Sequence, residues 1–140
     1  MKRILYEEVR YLWEAEDGRK FQKEDDCKRY EYLCNKWLNQ KYETSSIIDD
    51  TEIACYPINS YEDIREIQEF ERLHDWNYPS IHPQESHYEI PGWVYVPYSP
   101  SGLDYPELIE PLSHLEECIK DVENSLVELR NDIAQMRGKH

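Results

Sequence analysis

Between Leu73 and Ile119 the chain has no lysine and no arginine, yet the same span holds Asp75, Glu85, Glu89, Asp104, Glu107, Glu110, Glu116 and Glu117. The basic footprint that a phosphate backbone requires is missing, so direct binding of DNA or RNA is not expected. No apolar run approaches the roughly 20 residues that cross a bilayer, so no membrane span is expected. The opening Met1-Lys2-Arg3-Ile4-Leu5-Tyr6-Glu7-Glu8 is followed by no apolar signal region, and a cytoplasmic location is the expectation. Cys27, Cys34, Cys55 and Cys118 form no C-x-x-C pair, which removes zinc-ribbon and thioredoxin-like readings and leaves them as small core residues. With only four glycines there is little material for a phosphate-cradling loop. No P-loop, dinucleotide fingerprint or G-x-S-x-G occurs, and no cofactor is expected.

What is present argues for a folded domain. In 140 residues the hydrophobic fraction is 39%, with twelve Tyr and four Trp against two Phe and two Met. Tyrosine and tryptophan must therefore supply much of the packing, and their polar ends need partners. The net charge of −14 is uneven: residues 1–60 carry 13 acids and 10 bases, residues 61–140 carry 17 and 6.

The clearest periodicity lies at the C-terminal end. Leu112, Ile119, Leu126 and Ile133 take one seam position of a heptad; Leu115, Val122, Leu129 and Met136 take the other. The spacing runs 3-4-3-4 without a slip, which predicts a helix over 112–136 with one apolar stripe. That stripe either packs on the chain's own sheet or pairs with a second copy, and a homodimer is the expectation. In a parallel pair Arg130 and Arg137 would face Ser125 and Asp132.

Taken in order, residues 4–21 predict a β-hairpin. Val9, Tyr11, Trp13 and Ala15 alternate with polar neighbours, and Asp17-Gly18 supplies the turn before a short return strand. From Lys23 the period becomes helical, with Cys27, Tyr30, Cys34 and Trp37 on one stripe and Glu24, Asp25 and Asp26 at the helix start. Asp17-Gly18-Arg19-Lys20-Phe21, followed by Cys27 and Tyr30-Glu31, resembles the N-terminal ββα module of many small phage and prophage proteins. Some of these are host-defence inhibitors of the anti-CRISPR kind. The resemblance covers about the first 35 residues and implies a miniature core of strand Phe and helix Cys and Tyr, a phage-like origin, and no catalytic residues.

Residues 42–52 read as a polar connection, and Glu52–Tyr56 as a brief strand closed by Pro57. Ser60 to Asp63 forms a capping box that opens a helix with Ile64, Ile67, Phe70 and Leu73 inward, ending near His74-Asp75. Seven prolines punctuate 76–111, where only Gly92–Val96 has the composition of a strand. The order gives one domain of α+β class: a small, mainly antiparallel sheet with helices on one face and a long C-terminal helix. Its parts are 1–41, 52–75, 76–111 and 112–137.

Three chemistries compete for the function. Carboxylates without neighbouring cations keep a negative field that attracts a basic surface, and aromatic rings add stiff contact area. On that reading Trp76, Tyr78, Glu85, Glu89, Asp104, Tyr105, Glu107 and Glu110 bind a host protein with a basic, nucleic-acid-binding surface. The chain would act there as an inhibitor, in one version by mimicking DNA. A second reading is a small metal-dependent enzyme built on His74, Asp75, His82, Glu85, His87 and Glu89, whose side chains are ligand types for zinc or iron. Their spacing matches no metalloprotease signature. The third is a structural coiled-coil dimer or adaptor. Asp26-Cys27-Lys28 is a nuclease-like triplet explained by the helix start, and nothing in the sequence joins a cysteine to a histidine.

Overall fold

A computed structural model describes residues 1–6, 10–46, 51–98 and 108–139. Three strands, β1 (Lys2–Tyr6), β2 (Arg10–Glu14) and β3 (Lys20–Phe21), form an antiparallel sheet in chain order. The β2–β3 hairpin turns at Gly18, whose φ of 89° lies where a side chain would be strained. Helix α1 (Glu24–Trp37) then covers this sheet. The rings of Phe21 and Tyr30 meet at a tilt with centres 5.2 Å apart, and Ala15, Cys27 and Tyr30 form a small buried cluster.

The second sheet has five strands: β4 (Tyr42–Ser46), β5 (Thr51–Ile58), β6 (Ser80–Ile81), β7 (Gly92–Tyr98) and β8 (Leu108–Pro111), in the order β4-β5-β7-β8-β6. Every pairing is antiparallel except β6 with β8. Helix α2 (Tyr61–His74) lies between β5 and β6, and α3 (Leu112–Arg137) closes the chain. The class is α+β, with two sheets rather than one.

Residues 42–52 are not a plain connection. Tyr42–Ser46 pairs residue for residue with Cys55–Thr51. The polar composition misleads because β4 is an edge strand, held by backbone hydrogen bonds rather than by an apolar face. Strand β5 also runs through Pro57 instead of stopping before it. The β4 register ends at Tyr42 opposite Cys55, so the missing Pro57 N–H lies where β5 has no neighbour on that side. Pro97 in β7 is placed the same way, beyond the Val94 and Tyr95 that pair with β8. Strand β8 was not legible in the sequence, being two apolar residues and two polar or cyclic ones.

The main core lies between α1, α2 and the inner face of the five-stranded sheet. Leu33 and Trp37 meet Ile64, Ile67 and Phe70 over Ala54, Tyr56, Ile58, Val94, Val96 and Ile109. Leu33, absent from the predicted stripe of α1, is fully buried, while Leu38 is exposed. On the opposite face, Ile53, Cys55 and Tyr95 are buried with Leu112 and Leu115, the first turn of α3. Beyond that turn α3 leaves the body.

A cation seam joins the two inner helices. The Lys36 ammonium lies 3.0 Å from Asp63 and 2.8 Å from Glu66, and both acids are buried. Trp37 Nε1 and the Tyr32 hydroxyl also donate to Glu66, and Arg29 meets Glu69 at 2.8 Å. Asp63 closes the predicted cap: its N–H donates to Ser60 Oγ, and its carboxylate accepts from Asn59 N at 2.8 Å. Burial alone would raise both carboxyls, but these donors and the Lys36 charge outweigh it and hold Asp63 and Glu66 below their ordinary 3.8 and 4.5.

Because folding lowers these pKa values, the stabilisation is present above the ordinary carboxylate range and is lost as pH falls through the lowered values. Urea titrations should therefore show a midpoint that drops below about pH 4. Lys36→Ala should cost about 1.5–3 kcal/mol at neutral pH and flatten that acid limb. An unchanged midpoint in the variant would refute the seam's role.

Candidate functional site

Just past the end of α2 stands one of the predicted partner-binding residues, in a backbone conformation that no sequence signal announces. Trp76 adopts φ 56°, the left-handed conformation usually reserved for glycine just past a helix end. Asp75 N and Asn77 N both donate to Glu71 O, so the turn is hydrogen-bonded around it. The ring is 70% exposed, and the Arg19 guanidinium sits 5.5 Å from its centre. Arg19 in turn donates to the carbonyls of Leu73 and His74. A strained backbone that presents an indole to solvent is a feature the rest of the fold must support.

Tyr78, two residues on, is 62% exposed. It lines a cleft of about 500 Å³ with Arg65, Gln68, Arg72 and Ser80. The predicted base-free surface is thus not base-free in space, because Arg19, Arg65 and Arg72 reach its aromatic end.

The acids lie elsewhere. From Tyr78 the chain runs back along α2: Gln68 donates to Pro79 O, and the Tyr61 hydroxyl, at the start of α2, donates to His82 O. Glu85 begins a 3-10 turn (Glu85–His87), and Glu85 and Glu89 are exposed with no Lys or Arg ion pair among the described residues. The Glu110 carboxylate, in β8, lies 2.8 Å from His87 Nε2. The acidic group sits by the N-terminal end of α2, Tyr78 alongside its middle turns, and Trp76 just past its C-terminal end. Asp104, Tyr105 and Glu107 lie outside the described residues. The structure thus divides the predicted surface into an aromatic group and an acidic group.

The histidine reading fares differently. His74 stacks on Phe70 at 5.0 Å, and its Nδ1 lies 3.1 Å from Asp75. His82 and His87 stack on each other at 4.0 Å at the other end of α2. Among the described residues no three His, Cys, Asp or Glu side chains converge as a metal site would need. Cys34 and His74 do line a common cleft of about 240 Å³ with Asp17 and Tyr30. Burial, however, pushes the Cys34 thiol up, away from the thiolate that nucleophilic chemistry requires.

One polar group was missed altogether. Glu71 is fully buried, and the hydroxyls of Tyr56 and Tyr98 both donate to its Oε1. Lys41, itself covered, lies 2.7 Å from Asp75 and 2.9 Å from Glu43 beside this group. The sequence does carry the signal: Glu71 falls on the inner stripe of α2, one residue past Phe70. Burial pushes its carboxyl up despite the two tyrosine donors and Lys41. The group is closed to solvent, so it holds α2, β5 and β7 together rather than meeting a substrate.

Comparison with protein-family models, with curated proteins and with solved structures found no match. No helix of the described residues is long and apolar enough to cross a membrane.

A carboxyl whose folded pKa is raised lowers stability as pH rises from its ordinary 4.5 upward, the opposite sense to Asp63 and Glu66. Glu71→Gln should remove that decline in urea titrations. Glu71→Ala should cost about 2–3 kcal/mol, since two buried hydroxyls lose their acceptor. If the glutamine variant keeps the full decline, the buried carboxyl is not its source.

Proposed function

We propose that this chain is a non-enzymatic, acidic binding protein that occupies a cationic surface on another protein. The finer version is an inhibitor that blocks the basic nucleic-acid-binding surface of a host protein; its phage type is what the N-terminal ββα resemblance implies. The observation that carries the reading is Trp76. An indole held in a left-handed backbone and 70% exposed costs the isolated fold about 1–2 kcal/mol and contributes little buried area in return. Such a residue is accounted for by a contact made with something else, and large rings are what interface centres favour. Tyr78 beside it adds a second ring.

The acids supply attraction at longer range. Glu85 and Glu89, exposed and with no Lys or Arg ion pair among the described residues, lie toward the other end of α2 from Trp76 and add to a net charge of −14 that attracts a basic partner. Arg65 and Arg72 flank Tyr78 and give the contact a mixed character at its centre. Specificity would then rest on ring shape and on the pairing of those two cations, and rate on the acidic surround.

Affinity capture from host lysate should retain a partner at low salt and release it at high salt. Trp76→Gly should stabilise the free protein by about 0.5–1 kcal/mol, by relieving the left-handed strain, while weakening capture at least about tenfold. Capture that ignores both salt and this substitution would end the proposal.

A further inference from the structure

Helix α3 is 26 residues long, about 39 Å, and among the described residues its start is the part packed on the body of the protein. Leu112 and Leu115 are half-buried against Ile53, Cys55 and Tyr95. From there the seam runs into solvent: Ile119, Val122, Leu126, Leu129, Ile133 and Met136 are all exposed, Leu126 and Met136 at 58% each. A continuous apolar stripe of this length is rare on a soluble monomer and marks a buried face whose cover is another surface. Its unbroken 3-4 spacing is the pattern of a helix that packs against a second helix of the same period.

We infer that α3 is covered by the α3 of a second copy of this chain, running antiparallel. Set the partner's Met136 over Leu112, and every seam layer closes: Leu115 meets the partner's Ile133, Ile119 the partner's Leu129, and Val122 the partner's Leu126. The two-fold axis repeats each of these contacts. The row flanking the seam reads Glu116, Glu123, Arg130 and Arg137, acids first and bases last. Reversing one copy brings Glu116 to the partner's Arg137 and Glu123 to the partner's Arg130, which makes four ion pairs in the dimer. A parallel pair brings Glu123 to Cys118 and Arg130 to Ser125, leaving only Arg137 with an acid, Asp132.

Two further features favour the reversed arrangement. The bodies would sit at opposite ends of the rod, so two chains of net charge −14 are held apart by several Debye lengths. A parallel pair would set both bodies side by side. The partner's Ile133 and Met136 would also extend the buried cluster of Ile53, Cys55, Tyr95, Leu112 and Leu115 on the sheet's outer face, so the new interface continues an existing one.

Sedimentation equilibrium of the full chain should give twice the 17.0 kDa chain mass. Leu126→Glu with Leu129→Glu should give a monomer whose tryptophan fluorescence is unchanged, since all four tryptophans lie in the body. For orientation, Glu123→Arg should weaken dimerisation at least about tenfold by facing Arg130, and adding Arg130→Glu should restore it. A monomeric wild type, a trimer or tetramer, or a dimer that survives the two glutamates would overturn the proposal. A dimer indifferent to Glu123→Arg would overturn its antiparallel arrangement. None of these readouts depends on a bound partner, so they stand or fall apart from the function proposed above.

Discussion

The fold depends on how α1 neutralises α2. Helix α2 carries Glu62, Asp63, Glu66, Glu69 and Glu71 along 14 residues, and Asp63, Glu66 and Glu71 are buried. Without cations from elsewhere that helix could not lie against another element, because an unpaired buried carboxylate costs several kcal/mol. Lys36 and Arg29 from α1 pair with Asp63, Glu66 and Glu69, and Lys41, just after α1, pairs with Asp75 beside the end of α2. Three of the ten bases of the first 60 residues go to this junction. What remains outside it is the acid excess of the second half.

The same junction explains why so few phenylalanines suffice. Tyr56 and Tyr98 bury their rings and end on Glu71, Tyr32 and Trp37 end on Glu66, and Tyr30 ends on Asp17. Tyr88 donates to Ile109 O and accepts from His82 N. Tyr56 and Trp37 each bring the apolar area of a core residue together with a donor that a buried acid needs, while Tyr32 supplies its hydroxyl from the surface. The acids inside the body are therefore part of the aromatic core, and they differ in kind from Glu85 and Glu89 outside it.

Strain and exposure are concentrated at two places the core does not use. Trp76 holds a glycine-type backbone conformation at the end of α2, and the stripe of α3 stands free of the body. Both are costs to a lone chain, and both are relieved by contact with another surface. They lie on different elements, and we propose different partners for them: a cationic one for Trp76 and a second copy for α3.

Local signals were read well from the chain alone. The Asp17-Gly18 turn, the Ser60 cap, the inner stripe Ile64-Ile67-Phe70 and the length of α3 each depend on residues within one or two turns of each other, and each is where its pattern placed it. Position in space was decided only by the tertiary structure. Strands β4 and β8 exist because β5 and β7 offer them backbone partners, and Leu33 is buried because α2 lies over it. Trp76 and Glu85, nine residues apart in sequence, end up at opposite ends of α2 because the chain doubles back along that helix. Periodicity records which face of an element is apolar; only the packed chain shows whether anything covers that face, and for most of α3 nothing within the described residues does.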